Sequence, residues 1–430
     1  MRRVLVIGSG GREHAIIWKL SGSPLLDKLF CAPGNPGTAA LATNLDADIK
    51  DFSSIAKAVK ENKIDMVVVG PEDPLVNGLR DFFEADSDLA DVVFIGPGRE
   101  GAKLEGSKEY AKAFMERWNI PTARYMSFGK EDIGRAYDFL DTLQAPYVLK
   151  ADGLAGGKGV VIPTELEEAR MELATMLDGK FGDAGKRVVI EEYLHGIELS
   201  VFVLTDGSDY LILPEAKDYK RIGEGDTGLN TGGMGAVSPV LFADAAFMKK
   251  VEDRIVKPTV DGLRRDNIPY KGFIFIGLMN CGGEPFVIEY NVRMGDPETE
   301  AVMPRIESDL LAHFVALGEG RLGSEKVIHS SKSALTIVAV SGGYPEQFQK
   351  GYPVEIASEA VEDTLLFHSG TRSENGTVLT AGGRVMALTA LADSPEDARE
   401  RAYLGISRVS FRDIYFRTDL GLDLLNFKKD

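Results

Sequence analysis

Short runs of apolar residues, closed by glycine or proline, recur along the N-terminal part of the chain. Residues 4–7, 29–32, 66–69 and 92–95 are the runs; Ile16, Ile17 and Leu20, then residues 53–61 and 76–84, carry the helical spacing between them. Strand and helix patterns in alternation predict a doubly wound parallel sheet with its site at the strands' carboxyl ends. Loops 8–14, 33–37 and 70–75 are expected to converge there. A helix follows from Ser107, with Ala111, Phe114, Met115 and Trp118 on one face and Pro121 as its stop.

Further on, a strand ends at Lys150, a glycine-rich turn intervenes, and another strand begins. Residues 187–202 read as two strands joined by a short turn. Residues 217–235 hold too many glycines and polar residues for regular structure. A helix over 245–265 leads to strands at 272–279 and 286–292. In the last strand Glu289, Asn291 and Arg293 are expected on one face, with Phe286, Ile288, Tyr290 and Val292 packed on the other. After about Arg321 short strands and a helix over 395–409 predict an α+β C-terminal domain.

Glu289 and Asn291 offer hard oxygen ligands of the kind that suit a phosphate-bound Mg²⁺, and Arg293 a cation for a phosphoryl group; a wet edge strand is the alternative. Gly8-Ser-Gly10-Gly11-Arg12-Glu13-His14, between strand and helix, can offer N–H groups to phosphate. It is a poor dinucleotide fingerprint, because Glu13 stands where the third glycine belongs and Pro33-Gly34-Asn35-Pro36-Gly37 follows the next strand instead of an acid. Phosphate or phosphosugar binding, or glycines that only turn the chain, are the readings left.

The turn after Lys150 is not a Walker loop, since Asp152 and Gly159 break that motif. Gly156, Gly157, Lys158 and Gly159 suit a flexible flap over phosphates, or else a plain surface hairpin. The backbone of Glu191, Glu192, Tyr193 and Leu194 could meet an adenine and Glu198 a ribose, although acids beside strands are commonly just solvated.

Composition narrows the choices. The chain has 430 residues, enough for two to four domains, and a formal charge of −17 that argues against nonspecific nucleic-acid binding. Cys31 and Cys281 are too few for a disulfide framework, and a reducing cytoplasm is expected. No run approaches the ~18 apolar residues of a membrane span, and the basic start is cut short by Gly8, so no membrane or export segment is expected.

Gly8-Ser-Gly-Gly-Arg-Glu-His14, Asn35-Pro-Gly37, Gly70-Pro-Glu72, Leu104-Glu-Gly-Ser-Lys108, Lys150-Ala-Asp-Gly-Leu154, Asn230-Thr-Gly-Gly-Met-Gly235 and Arg293-Met-Gly-Asp-Pro-Glu298 together resemble the glycinamide ribonucleotide synthetases, or phosphoribosylamine–glycine ligases, of the ATP-grasp superfamily. The resemblance runs end to end in the family's order. It implies an α/β and α+β multidomain protein: an N-terminal substrate-binding domain (1–103), a two-lobed ATP-grasp domain (104–328, with a flap at about 122–190) and a small α+β C-terminal domain (329–430). The implied reaction joins glycine to 5-phosphoribosylamine through glycyl phosphate, consuming ATP, in the second step of purine biosynthesis.

The resemblance also implies site roles. Lys108, Lys150 and the flap residues Gly156, Gly157, Lys158 and Gly159 would meet ATP phosphates; Glu191, Glu192, Tyr193 and Leu194 the adenine; Glu198 the ribose. Glu289 and Asn291 would ligate Mg²⁺ or Mn²⁺. Arg293, Asp296, Lys220 and Asn230 would serve catalysis. Gly10, Gly11, Arg12, Glu13, Asn35, Pro36, Gly37, Pro71 and Glu72, with Thr231, Gly232 and Gly233, would hold substrate. Departures are small: Val292 and Met294 flank Arg293, and Gly156 replaces a more usual alanine. A monomer is expected, with weak self-association as the alternative. Another ATP-grasp enzyme, or a noncatalytic nucleotide sensor, are the competing readings.

Overall fold

The computed structural model describes residues 1–155, 159–359 and 361–427. Its N-terminal sheet is parallel, in the order Thr43–Asn44, Leu26–Pro33, Arg2–Gly8, Met66–Val69 and Val93–Ile95. Arg2–Gly8 takes the centre because Val4, Leu5, Val6 and Ile7 are apolar on both faces, and all four are fully buried. Helix Gly11–Ser21 follows it directly. The helix expected over 76–84 is instead two short helices, Glu72–Val76 and Leu79–Ala85, because Gly78 lies between them at φ +87°.

Two antiparallel sheets come next. One runs Tyr125–Gly129, Arg187–Glu192, Tyr147–Ala151, Val160–Val161; the other Tyr210–Ile212, Ile197–Thr205, Gly272–Cys281, Glu284–Asn291. Residues 193–196 therefore connect one sheet to the other. A further sheet orders Lys217–Asp218, Gly235–Ser238, Ser333–Val340, Arg384–Ala392 and Thr364–His368. It draws strands from both sides of the boundary expected at 328–329.

Two further expectations differ from the structure. Residues 217–235 do hold regular structure: Arg221–Gly223 and Thr227–Asn230 pair as a hairpin, closed by Gly225 and Asp226 at φ +64° and +55°. Glycine and aspartate tolerate that left-handed backbone, so the residues that argued against structure are the ones that close the turn. The faces of Glu284–Asn291 also differ from simple alternation, because its register against Gly272–Cys281 shifts between Glu289 and Val287 and leaves Ile288 bulged. A bulge moves later residues to the opposite face. Val287, Tyr290 and Val292 thus share the core, while Phe286 and Ile288 are only half-buried.

Among the described residues, no helix is long and apolar enough to cross a membrane.

Candidate functional site

Lys150 is the penultimate residue of the strand Tyr147–Ala151 and is 5% exposed, so its ammonium needs partners built in advance. Its Nζ lies 2.9 Å from Glu191 Oε1 and donates to the carbonyl of the bulged Ile288 at 3.1 Å. The bulge thus presents an acceptor to the lysine. Glu191 also takes Lys112 Nζ at 2.8 Å. Burial pushes the Lys112 ammonium down to about 8, against the pull of Glu191. The Glu191 carboxyl is opposed by burial yet held below its ordinary range by Lys150 and Lys112. A buried ion triad is costly to form, so it serves position better than stability.

Lys108 is the first residue of helix Lys108–Arg117. Asp152, which broke the Walker pattern, accepts from Glu109 N at 2.7 Å and from Ser107 Oγ at 3.1 Å. A carboxylate there offsets the helix's positive end and ties the lysine to the turn after Lys150. Burial lowers the Lys108 pKa, while Glu289 opposes that shift. Gly159 is buried on the far side of the turn, its carbonyl accepting from Ala151 N at 2.8 Å. Gly156, Gly157 and Lys158 lie outside the described residues.

Beyond Glu192 the strand ends. Glu192 accepts from Arg124 N at 2.8 Å, and Tyr193 and Leu194 form the open connection between sheets. Neither of their N–H groups has a protein acceptor among the described residues. Glu198 is already met by Lys220 Nζ at 2.8 Å, which holds its carboxyl low; Lys220 is raised well above its ordinary value, against burial, by Glu198, Asp218 and Glu289.

Glu289 and Asn291 sit two residues apart on one strand and are half-buried. Their side chains have no hydrogen-bond partner among the described residues, although Lys108, Lys220 and Asp218 all feel the Glu289 charge. Unpartnered hard oxygens facing cations fit a divalent metal carried by a polyphosphate. Nearby, Glu298 is 3% exposed and accepts from Ser200 Oγ at 3.2 Å; burial, with Asp218 beside it, raises it to about 7.

Arg293 is bound by two acids, Glu72 at 3.1 Å and Glu105 at 2.8 Å, and Glu105 accepts from Val292 N as well. Burial would raise the Glu72 carboxyl, but Arg293 and Arg12 hold it low. Arg12 reaches Met294 O at 3.2 Å, and a Cβ on Gly10 would stand 3.2 Å from Asp296 Oδ2. The first glycine loop and the Arg293–Asp296 turn therefore meet. Pro71 precedes Glu72 as the cap of helix Glu72–Val76.

Several expected substrate contacts are turned inward. Glu13 Oε2 accepts from Gly10 N at 2.6 Å and Oε1 pairs with Arg12 at 2.6 Å. Gly8 is required for this, since at φ +127° its Cβ would stand 2.5 Å from the Glu13 carboxyl carbon. Asn35 accepts from Gly37 N and Thr38 N at 2.8 and 3.0 Å and donates to Ser9 O and His368 O at 2.8 and 2.9 Å. Its amide is spent. Pro36 is half-buried, whereas Gly11 and Gly37 are buried.

On the hairpin Asn230 is exposed, and Thr231 bonds back to Lys220 O through N and Oγ1 at 2.7 and 2.8 Å. Gly233 N donates to Thr231 Oγ1 at 2.9 Å. The C-terminal part adds two residues that sequence reasoning missed. Tyr344 OH accepts from Gly232 N at 2.9 Å, and Arg384 pairs with Asp296 Oδ1 at 3.1 Å while also bonding Gly232 O. Each follows a pair of glycines, Tyr344 in the turn Gly342-Gly-Tyr344 and Arg384 as the first residue of its strand after Gly382-Gly383, the one signal that could have marked them.

Two antiparallel sheets, one carrying the buried Lys150 and the other Glu289 and Asn291 with no partner among the described residues, suit an ATP-grasp protein, and residues 106–299 match the phosphoribosylglycinamide synthetase ATP-grasp (A) domain. Residues 2–105 match that family's N domain and 334–423 its C domain. The chain belongs to the phosphoribosylglycinamide synthetase family.

It is 43% identical to the phosphoribosylamine–glycine ligase of Agrobacterium fabrum, across 97% of this chain and 98% of that one. It is 45% identical to a bifunctional purine biosynthetic protein of Pichia angusta, across 97% of this chain and 53% of that protein, so it spans about half of that relative's length. The crystal structure of phosphoribosylamine–glycine ligase from Thermotoga maritima superposes with a TM-score of 0.85 at 33% identity, across 97% and 99% of the two chains.

Proposed function

We propose that this chain joins glycine to 5-phosphoribosylamine at the expense of ATP, giving glycinamide ribonucleotide, ADP and phosphate. In the first step a glycine carboxylate oxygen attacks the γ-phosphorus and ADP leaves. In the second the sugar's amine nitrogen attacks the acyl carbon, phosphate leaves, and the nitrogen loses a proton. Positioning and charge stabilisation supply most of the rate in such transfers. The observation that carries the reading is the placing of Glu289 and Asn291, free of protein partners, near Lys108 and Lys220 in a chain of this family.

Lys108 and Lys150 neutralise the phosphates. The free N–H groups of Tyr193 and Leu194 meet the adenine, and Glu198 the ribose, once Lys220 turns from it toward the transferring phosphoryl group. Glu289 and Asn291 would hold Mg²⁺ or Mn²⁺, which when bound would neutralise phosphate charge. Arg293, gripped by Glu72 and Glu105, fixes the turn to Asp296 that faces the first glycine loop, where phosphoribosylamine is bound. We place the reaction in the cytoplasm, in keeping with free Cys31 and Cys281.

The test is ADP release by the purified protein with Mg²⁺. Release should require glycine and phosphoribosylamine together, with glycinamide ribonucleotide found by mass. ADP formed with bicarbonate or formate, and none with glycine, would overturn the assignment in favour of another ATP-grasp reaction.

A further inference from the structure

Lys220 stands at the base of the hairpin Arg221–Gly223/Thr227–Asn230, and that hairpin has almost no core of its own. Every residue from 221 to 230 is half-buried or exposed, Leu229 is 51% exposed, and Ile222 alone packs against the core. A two-stranded ribbon of this kind is marginal in water unless something else holds it.

What holds it is the chain's C-terminal segment. Tyr415 OH donates to Ile222 O at 2.9 Å, and Thr418 N donates to Glu224 Oε1 at 3.2 Å. Arg417 lies between them, 1% exposed, with its guanidinium 5.3 Å from the Tyr219 ring centre. Its Nη1 meets Asp226 Oδ1 at 2.7 Å and Arg221 O at 3.1 Å; its Nε and Nη2 grip Asp419 at 2.8 and 2.6 Å. Asp419 in turn accepts from Gly225 N at 2.8 Å. One buried cation thus joins the first residue of the hairpin, its turn and the segment beneath it. A planar, bidentate guanidinium fixes geometry as well as charge.

We infer that Arg417 is a positioning residue for Lys220, setting the height of the hairpin over the cleft from about 200 residues away in sequence. The inference rests on the assignment of Lys220 to the reacting phosphate. Arg417 bonds the carbonyl of Arg221, the residue next to Lys220, so a loosened clamp moves the lysine's backbone before it moves anything else in the cleft.

The experiment is a double-variant cycle with Arg417→Ala, Lys220→Ala and both together, read as kcat and KM. Asp226→Asn is a milder companion that keeps the left-handed backbone asparagine tolerates and removes only the charge at the turn. Tryptic cleavage after Arg221, followed by mass, reports hairpin release without reference to activity.

Arg417→Ala is expected to lower kcat roughly 10- to 100-fold with KM for ATP little changed, to expose the Arg221 bond, and to cost nothing further once Lys220 is alanine. Asp226→Asn should do the same to a smaller degree, and it closes the cycle if Arg417→Ala does not fold. Multiplicative losses in the double variant, or full kcat and an uncut hairpin in the single variants, overturn the positioning role while leaving Lys220 in place. Full activity in Lys220→Ala overturns the assignment of Lys220, and this inference with it.

Discussion

Two strand ends, both singled out by their polar residues, are built in opposite ways. After Leu26–Pro33, the Asn35 side chain makes four hydrogen bonds to protein and is 5% exposed. At the end of Glu284–Asn291, Glu289 and Asn291 make none among the described residues and stay half-buried. Buried polar groups must be satisfied, so a saturated one belongs to the scaffold; one left unsatisfied beside cations is available to a ligand. The Asn35 side chain is thus spent on its own loop and its neighbours, whereas Glu289 and Asn291 keep oxygens that no described residue uses.

The strongest way to break this contrast is Glu289→Ala. Turnover should fall at least about 10³-fold, the scale of losing one aligned charge contact to a transferring group, while urea unfolding shifts by less than about 0.5 kcal/mol. A large loss of stability with activity retained would make Glu289 scaffold. Asn35→Ala should do the reverse. Leaving Gly37 N and Thr38 N without their acceptor costs about 1–3 kcal/mol in unfolding free energy, with KM for phosphoribosylamine little changed below the melting range. A raised KM at unchanged stability would return Asn35 to the ligand.

The same distinction marks how far the residues themselves could be read. The parallel sheet was legible because both faces of its strands are apolar, and the motifs at Lys108, Lys150 and Glu289 lie close enough for their charges to interact. The bulge at Ile288 was not, because Phe-Val-Ile-Glu-Tyr-Asn alternates equally well in either register and only the partner strand fixes which face is inside.

For Glu13, sequence shows the charge and not the N–H it satisfies three residues back. Arg384 meets Asp296 across 88 residues, and nothing local announces such a pairing. The hairpin at 221–230 was hidden for a related reason: its hold comes from Arg417, not from its own pattern.

A saturated contact between distant parts of the chain sharpens the contrast most directly, through pH. His14 Nδ1 accepts from His368 N at 2.9 Å, so the His14 ring is neutral with its proton on Nε2. Burial, with His368 beside it, lowers His14 to about 3, and burial lowers His368 to about 4. Both folded values lie below the ordinary histidine value of about 6.5, so below that pH the unfolded chain binds more protons than the folded one. Stability from this contact is complete above about pH 6.5 and falls as pH drops toward 4, by about 1.4 kcal/mol per pH unit for each histidine.

Buried carboxyls such as Glu300 and Glu105, raised by burial, act in the opposite sense, so the readout has to be a difference between variants. Unfolding of the parent and of His14→Gln, whose amide oxygen can accept the same bond without titrating, should converge between about pH 7.5 and about pH 5. Parallel pH curves for the two proteins would mean that the His14–His368 contact opens to water before it titrates, and that a saturated group at this seam is not part of the scaffold.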